Sequence, residues 1–261
     1  MGIVNLTPDS FSDGSANLSS SDAIAHAERL IVEGATIVDI GAESTRPGAA
    51  PLPLAEELTR LMPVLKGLRD APVAVSVDTY KPEVMRAALD SGASIVNDVY
   101  AFRQRGALEA VTQGSCGLVV MHMQGEPSTM HVAPHYRDVV SEVDEFLRER
   151  LLELSAAGIN RSRLMVDPGF GFGKRLEDNH ALLTGLATYR KLDAAGLLVG
   201  LSRKGMLGTI SGRLAASQRL GASVAAALLA VSRGAQVVRC HDVAATVDAL
   251  KVWSYFQDGV S

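Results

Sequence analysis

The chain repeats short apolar runs, each of which ends in a polar residue. Segments 34–39, 92–97 and 234–239 all read Gly-Ala-polar-apolar-apolar-polar. Their starts are separated by about two and about five units of roughly 29 residues, the length of one helix and one strand with short loops. The pattern predicts a repeated unit in which a helix ends at a left-handed glycine and a strand buried on both faces follows.

Eight such runs predict eight strands with helices between them. We expect the strands at 2–6, 36–41, 73–78, 94–98, 117–121, 164–167, 198–201 and 236–239. Apolar stripes at helical spacing cover 23–31, behind a capping pattern of Ser19 and Asp22, and also 139–154 and 243–253. The alternation predicts an α/β protein, a (β/α)8 TIM barrel that forms a single domain over residues 1–261, with its active site at the C-terminal ends of the strands.

Polar residues cluster where the predicted strands end. The set is Asn5; Asp39 and Glu43; Asp78; Asn97 and Asp98; Met121, His122 and Gln124; Asp167; Ser202, Arg203 and Lys204; and Arg239, His241 and Asp242. Strands 3, 4 and 6 supply carboxylates and an amide, whereas strands 7 and 8 supply cations. The predicted mouth of the barrel is therefore divided into an acidic part and a basic part.

The basic part lies where barrels of this type commonly hold phosphate. Arg239 and His241 are two residues apart, as are Ser202 and Lys204, so on strands each pair would point the same way. Such a cluster in an otherwise acidic chain favours a ligand with an anionic group. The alternative is a purely structural network of ion pairs with neighbouring aspartates.

The acidic part suits a neutral heterocycle with several N–H donors. A carboxylate can accept two parallel N–H bonds, and an amide both donates and accepts. Asp78, Asn97 and Asp167 could therefore recognise the edge of an aminopyrimidinone ring. The alternative for each of them is a polar group at a strand end that is already hydrogen-bonded.

Segment 165–174 is the most distinctive stretch of the chain. An apolar strand ends at Asp167, and Pro168 and alternating glycines follow. We expect the glycines to let a flat ligand approach the backbone and Phe170 and Phe172 to flank it. The segment is not a phosphate-binding P-loop, because Pro168 stands where that motif needs glycine and Arg175 stands where it needs Ser or Thr.

Composition narrows the class of protein. The net charge of -4 gives no reason to expect nucleic-acid or membrane-surface binding, and no apolar run has the length of a membrane span. Two cysteines make no disulfide framework, and His131 and His135 lack further ligands at metal-site spacing. With no signal peptide in the sequence, these features predict a cytoplasmic protein.

The assembled motifs resemble those of the dihydropteroate synthase family over nearly the whole chain. They are segments 1–14, 43–48, 76–79, 97–99, 121–125, 167–174 and 202–204, and the run Arg239-x-His241-Asp242. The resemblance implies an enzyme of folate biosynthesis that combines 6-hydroxymethyl-7,8-dihydropterin diphosphate with p-aminobenzoate and uses Mg²⁺. It also implies inhibition by sulfonamides and a homodimer, for which the alanine-rich helix over 222–231 and the last helix could form the contact face.

The resemblance also assigns roles to residues. It implies that the pterin is held by Asp78, Asn97, Val99, Met121, Asp167, Phe172 and Lys204. It implies that the diphosphate is held by Asn5, Thr45, Arg46, Arg239 and His241, with Asn5 near the metal. It implies that p-aminobenzoate is bordered by Phe11, Pro47, Ser202 and Lys204, and that Asp13, Lys204, Arg239 and His241 take part in catalysis.

The chemistry of these groups favours an SN1-like reaction. Diphosphate leaves readily once cations neutralise it, and an electron-rich dihydropterin can carry the positive charge that remains. Two other readings stay open. A corrinoid-linked pterin methyltransferase would share the acidic part of the site without needing the basic part, and a non-catalytic barrel could bind pterin alone.

Overall fold

The barrel is formed by eight short parallel strands that follow one another in chain order. A computed structural model describes residues 1–7, 19–44, 49–127, 129–130 and 132–257. The strands are β1 (Gly2–Asn5), β2 (Ile37–Gly41), β3 (Ala74–Asp78), β4 (Ile95–Asp98), β5 (Gly117–Met121), β6 (Leu164–Asp167), β7 (Gly196–Val199) and β8 (Val237–Val238). Each pairs in parallel with the next, and a bridge between Gly2 and Cys240 closes the cylinder. The predicted (β/α)8 barrel is confirmed.

Helices connect the strands on the outside of the cylinder. Over the described residues they are α1 (Ser20–Val32), α2 (Leu54–Gly67), α3 (Pro82–Asp90), α4 (Ala107–Val111), α5 (Val139–Ala156), α6 (Leu176–Thr184), α7 (Gly205–Ser211), α8 (Leu220–Ser232) and α9 (Val243–Gln257). The three predicted stripes fall on α1, α5 and α9. Ser19 caps α1 by accepting from the Asp22 amide at 3.2 Å, as its spacing predicted.

The repeated glycines end helices α1, α3 and α8 as the pattern predicted. Gly34, Gly92 and Gly234 have φ angles of +102°, +101° and +104°, which side chains with a Cβ rarely adopt. The alanine after each glycine donates its amide to a carbonyl in the last turn of the preceding helix, at 2.9 to 3.0 Å. The Gly-Ala pairs therefore stop three helices in the same way and start the strands that follow.

Alternation along the strands separates an apolar outside from a partly polar inside. Val38 and Ile40 of β2 belong to one buried hydrophobic cluster that also contains side chains of α1 and α2. Val96 of β4 and Val166 of β6 belong to a second cluster with side chains of α5. Because successive strand residues point to opposite faces, the residues between them point into the barrel, and many of those are polar.

β7 and β8 differ most from the predicted segments, and β1 to β4 are each one residue shorter than predicted at one end. β7 covers Gly196–Val199 rather than 198–201, because Met165 and Val166 of β6 pair with Gly196 and Leu197. Ser202 and Lys204 consequently lie beyond the strand, and Lys204 is the N-cap of α7. The expectation that these two side chains point the same way from a strand is therefore wrong. β8 is also shorter than the predicted segment 236–239.

Candidate active site

The mouth of the barrel holds a cation between two acids. Nε of Arg239 donates to Oδ2 of Asp39 at 2.6 Å, and a terminal nitrogen of the same guanidinium donates to Oδ2 of Asp78 at 2.8 Å. Asn97 donates from Nδ2 to the same Asp39 oxygen at 3.1 Å. The structure thus joins Asp78 and Asn97 of the predicted acidic part to Arg239 of the predicted basic part.

These contacts shift the pKa values of Asp78 and Arg239. Burial raises the pKa of Asp78 to about 7 against the opposing charge of Arg239, and the negative charge of Asp39 contributes in the same direction as burial. Burial disfavours the charged form of Arg239, but Asp39 and Asp78 outweigh it and raise the pKa of the guanidinium. Arg239 therefore stays charged, while Asp78 can offer a ligand either an acceptor or, when protonated, a donor.

Glycines allow the loop after β6 to pack closely against the loop after β5. Asp167 ends β6, and its Oδ1 accepts from the Gly169 amide at 2.8 Å. Gly169 and Gly173 have φ angles of +69° and +61°. A Cβ on Gly169 would lie 1.9 Å from the carbonyl oxygen of His122, and one on Gly173 would lie 2.5 Å from that of Gln124. Backbone angle and close approach both require glycine here.

A buried lysine ties this glycine-rich loop together. Lys174 is only 5% exposed, and its Nζ donates to the carbonyls of Gly169 at 2.9 Å and Phe172 at 3.0 Å. Nδ1 of His122 lies 2.8 Å from the same nitrogen. Burial, followed by the charge of Lys174, lowers the pKa of His122 to about 2, so the imidazole is neutral and can accept from Lys174. Burial lowers the pKa of Lys174 well below its ordinary value as well.

Lys204 reaches the same loop from the other side. Its Nζ donates to the carbonyl of Phe170 and lies 4.4 Å from the centroid of the Phe172 ring. Burial lowers the pKa of Lys204 to about 8, although the charge of Asp167 opposes the change. Burial raises the pKa of Asp167, and the Gly169 amide and Lys204 oppose that shift. At the mouth of the barrel, the opposite charges of Lys204 and Asp167 therefore each favour the charged form of the other.

An apolar wall lies beside these charges. Val99 and Met121 are buried in one small cluster, with Phe172 partly buried against it. The structure thus brings three predicted pterin-pocket residues together. Phe170, which we expected to flank a ligand, is instead fully buried in the main hydrophobic core, and only its carbonyl faces Lys204. The alternation of the segment is broken by its positive-φ glycines, so the two rings do not face the same space.

The predicted basic part is more heavily paired than its sequence suggested. Oγ of Ser202 lies 3.0 Å from Nδ1 of His241 and accepts from the His241 amide at 3.2 Å. Arg203 forms a two-pronged ion pair with Asp242. Arg239 is bonded to Asp39 and Asp78 as described above. The structural network of ion pairs that we considered as an alternative is therefore present, and Arg239 takes part in it at the site itself.

A second charged cluster supports the loop after β2. Nζ of Lys81 donates to both Glu43 and Glu57. Thr79 donates to Glu57 at 2.7 Å, and the hydroxyl of Tyr80 donates to Glu43 at 2.8 Å. Glu57 is 1% exposed, so these partners supply the hydrogen bonds that its buried carboxylate needs. The cluster fixes Glu43, the acid that begins the predicted 43–48 motif.

Several predicted residues lie outside the described part of the chain. Phe11, Asp13, Thr45, Arg46 and Pro47 belong to this group, as does His131, and their roles stay predictions. Asn5 is described: it ends β1, pairs with Gly41 of β2 and is partly buried. The described residues contain no group of three or more His, Cys, Asp or Glu side chains placed to hold a metal ion.

Sequence reasoning assigned no role to three residues that organise the site. Asp39 is one of many polar residues in and after the predicted strands, and only its place between Val38 and Ile40 signals a side chain on the opposite face of the sheet. Lys174 follows a glycine, and nothing in the sequence distinguishes it from a lysine exposed to solvent. His122 stood beside Met121 with nothing to mark it as the partner of a buried amine.

The chain is similar to proteins that handle pterins. A family model described as pterin binding enzyme matches residues 1–241. Dihydropteroate synthase of Escherichia coli (strain K12) is 47% identical over 253 residues, which cover 97% of this chain and 89% of that protein.

None of the described helices combines the length and the apolar character needed to cross a bilayer.

Solved structures of the same kind of protein superpose on this barrel. Dihydropteroate synthase from Xanthomonas albilineans in complex with 7,8-dihydropteroate has a TM-score of 0.90 at 49% identity, covering 100% of this chain and 94% of that one. The Yersinia pestis dihydropteroate synthase with a sulfonamide drug complex has a TM-score of 0.95 at 42% identity, covering 99% and 94%.

The requirement for glycine at position 169 can be tested by adding one methyl group. Gly169→Ala should destabilise the protein by about 3 kcal/mol or more, because the new Cβ meets a backbone oxygen that cannot move away alone. Gly158→Ala is the matched control: its φ of +91° is also positive, but a Cβ there meets nothing within 4 Å, so a loss of only about 1 kcal/mol is expected. Urea unfolding measures both. Equal losses would contradict the close approach.

The neutral state of His122 predicts a specific dependence of stability on pH. The unfolded chain takes up a proton at His122 below about pH 6.5, whereas the folded protein does so only near pH 2. The free energy of unfolding of the wild-type protein should therefore fall, relative to His122→Asn, by about 1.4 kcal/mol for each pH unit between roughly 6 and 4.

Denaturant unfolding at a series of pH values measures this difference. His180→Asn is the matched control, because His180 lies exposed on α6. The control should follow the wild-type protein at every pH. A constant difference between the wild-type protein and His122→Asn would show that His122 takes up its proton at the same pH in the folded protein and in the unfolded chain.

Proposed function

The chain belongs to the dihydropteroate synthase family of pterin-binding enzymes, and we propose that it transfers the dihydropterin-6-methyl group of 6-hydroxymethyl-7,8-dihydropterin diphosphate to p-aminobenzoate. The products are 7,8-dihydropteroate and diphosphate, a step of folate biosynthesis. The observation that carries the proposal is the Arg239 bridge, because it puts a cation for a departing anion beside the acids that suit a pterin ring.

Recognition of the pterin rests on Asp78, Asn97, Asp167 and Lys204. An aminopyrimidinone edge presents parallel N–H donors next to an acceptor, and carboxylate, amide and amine groups complement such an edge. Asp167 offers a carboxylate oxygen beyond the one bonded to the Gly169 amide. Val99, Met121 and Phe172 supply the apolar wall against which a flat ring can pack.

The diphosphate end is assigned to Arg239 and His241, with Thr45 and Arg46 as further predicted contacts. Asn5 offers one amide oxygen to a divalent ion. This sparse donor set fits Mg²⁺, which prefers oxygen ligands and is often held mainly by substrate phosphates and water. When bound, Mg²⁺ would neutralise part of the negative charge of the leaving group.

The chemistry needs little from a general base. The bond between the pterin methylene carbon and the diphosphate oxygen breaks, and its electron pair leaves with diphosphate. The positive charge spreads into the electron-rich dihydropterin, near the carboxylates of the site. The amine nitrogen of p-aminobenzoate then donates its lone pair to the methylene carbon and loses a proton to solvent. This amine is weakly basic and already nucleophilic, so residues that position it suffice.

The amine substrate is assigned to Ser202 and Lys204, with Phe11 and Pro47 as further predicted contacts. Lys204 has a pKa of about 8, so it is mostly protonated at neutral pH and can donate to a ligand. The same contacts should admit a sulfonamide in place of p-aminobenzoate, because both present an aniline ring with an acidic group opposite the amine. Catalytic assistance from Asp13 remains part of the proposal.

The assembly is proposed to be a homodimer formed through α8 and α9. A groove of about 540 Å³ between these helices is lined by Leu228, Asp248, Ala249, Val252, Trp253, Phe256 and Gln257. Val252 and Phe256 are 60% and 75% exposed, respectively. Apolar side chains of this size rarely stand together on the surface of a monomer.

The protein is also proposed to be cytoplasmic. Both cysteines are free and buried, in keeping with that location.

Release of diphosphate when both substrates are mixed tests the function. A corrinoid-linked methyltransferase would release none, and a non-catalytic barrel would bind pterin without turnover. Turnover should require Mg²⁺ and stop when EDTA removes it. Absence of turnover in the wild-type protein under these conditions would refute the proposal.

Substitution of site residues should separate catalysis from binding. Lys204→Ala should lower kcat/KM roughly 100-fold or more while the protein stays folded, because a half-buried donor to the ligand is lost. Asp167→Asn should mainly raise the KM for the pterin substrate, by roughly 10- to 100-fold. Lys191→Ala, at an exposed lysine, is the control and should keep full activity. Near wild-type turnover in both site variants would overturn the assignment.

Sulfonamides should compete with p-aminobenzoate. The apparent KM for p-aminobenzoate should rise linearly with sulfonamide concentration, while the maximal rate stays constant. Initial rates over a grid of both concentrations measure this. Inhibition that is independent of the p-aminobenzoate concentration would show that sulfonamides act at another site.

The proposed dimer predicts one disruptive surface change. Phe256→Glu should convert the protein from dimer to monomer, because it puts a charge into an apolar contact. Val32→Glu, at an apolar residue on α1 that is 88% exposed, should leave the dimer intact. Sedimentation velocity distinguishes the two states. A monomeric wild-type protein would contradict the proposed contact face.

A further inference from the structure

Asp39 makes contacts with both halves of the site. It lies in β2 between Val38 and Ile40, which pack outward, so its carboxylate points into the barrel and is completely buried. One oxygen, Oδ2, accepts from both Arg239 and Asn97. A single atom therefore fixes the distance between the cation assigned to the departing diphosphate and an amide assigned to the pterin.

The other oxygen of Asp39 points to a second polar contact inside the barrel. Among the described residues, Oδ1 of Asp39 and Oγ of Ser76 are the buried side-chain polar atoms without a hydrogen-bond partner. Asp39 and Ser76 are direct partners in the pairing of β2 with β3, so their side chains lie side by side on the inner face. Buried polar atoms are nearly always bonded, often through one internal water that makes two or more hydrogen bonds.

We infer that Asp39 is a positioning residue that holds Arg239 and Asn97 in one fixed arrangement, and that Ser76 supports it through a shared internal water. The inference rests on the proposed function for the identity of the ligand. Asp39 is assigned no contact with the proposed substrates. It acts through Arg239 and Asn97, which are assigned such contacts, and Ser76 acts through Asp39.

Asp39→Asn tests the first part with almost no change in shape. The neutral amide cannot accept strongly from Arg239 and Asn97 at once, so the KM for 6-hydroxymethyl-7,8-dihydropterin diphosphate should rise roughly 10- to 100-fold. The KM for p-aminobenzoate should change less than about two-fold, because no residue bonded to Asp39 is assigned to that substrate. Asp178→Asn, at a buried acid that pairs with Arg175 and is bonded to no residue assigned to a substrate, should leave both KM values unchanged.

The pH dependence of kcat/KM is a second measurement, and a purely structural role of Asp39 would leave it unchanged. The charged groups that act on Asp78 are Arg239, Asp39, Asp98 and Glu57, and Asp39 contributes to its raised pKa. Removing the charge of Asp39 leaves Arg239 with Asp78 as its acidic partner. The acidic limb of kcat/KM for the pterin substrate should therefore shift to lower pH in Asp39→Asn and stay in place in Asp178→Asn.

Ser76→Ala tests the second part through a double-mutant cycle. Alone, it should raise the KM for the pterin substrate roughly 3- to 10-fold; in the Asp39→Asn background it should change that KM less than about 1.5-fold, because its effect passes through Asp39. Ser94→Ala is the control, since its hydroxyl donates to the Val75 carbonyl instead. It should have equal, small effects in both backgrounds.

The outcomes separate this inference from the proposed function. Calorimetry with the pterin substrate reports positioning even if no product forms, and urea unfolding identifies any variant that fails to fold. If the wild-type protein binds pterin but makes no dihydropteroate, the proposed function fails while the positioning role remains testable by binding. If the wild-type protein is active and Asp39→Asn keeps its KM and pH profile, or if the Ser76 and Asp39 effects add, the inference is overturned.

Discussion

The interaction on which the site depends is the bond of one guanidinium to two carboxylates at the mouth of the barrel. Asp39 and Asp78 lie on the neighbouring strands β2 and β3, whereas Arg239 directly follows β8 and meets them only when the cylinder closes. Removing three charges from water is costly, and their attraction offsets that cost only with good geometry and further hydrogen bonds. Asn97 supplies one such bond. A buried oxygen left without a partner costs about 1–3 kcal/mol, which is why Oδ1 of Asp39 matters.

The barrel can hold these charges because its strands separate two environments. Outward residues such as Val38 and Val166 fill hydrophobic clusters under the helices and stabilise the fold. Inward residues at the same level are then free to be polar. The glycine-rich loop completes the arrangement, because Lys174 anchors it through backbone carbonyls and so fixes Asp167 and the carbonyl that accepts from Lys204. Fold stability and site geometry therefore rest on different faces of the same strands.

Much of the fold could be predicted from periodicity, and the reasons are local. The Gly-Ala repeats mark helix ends because Gly34 and Gly92 need a positive φ, and two-sided apolar runs mark parallel strands. The boundary of β7 could not be predicted, since pairing with β6 sets it. The burial of Phe170 was missed because three positive-φ glycines turn the loop. Pairing of Arg239 with Asp39 depends on barrel closure, which no local pattern encodes.

A crystal structure of the protein with 6-hydroxymethyl-7,8-dihydropterin diphosphate tests the central claim most directly. The account predicts the pterin ring between Asn97 and Asp167, with the diphosphate beside Arg239 and His241, and with Arg239 still bonded to Asp39. A ring and a diphosphate bound at separate ends of the barrel, or a diphosphate that ignores Arg239, would contradict it.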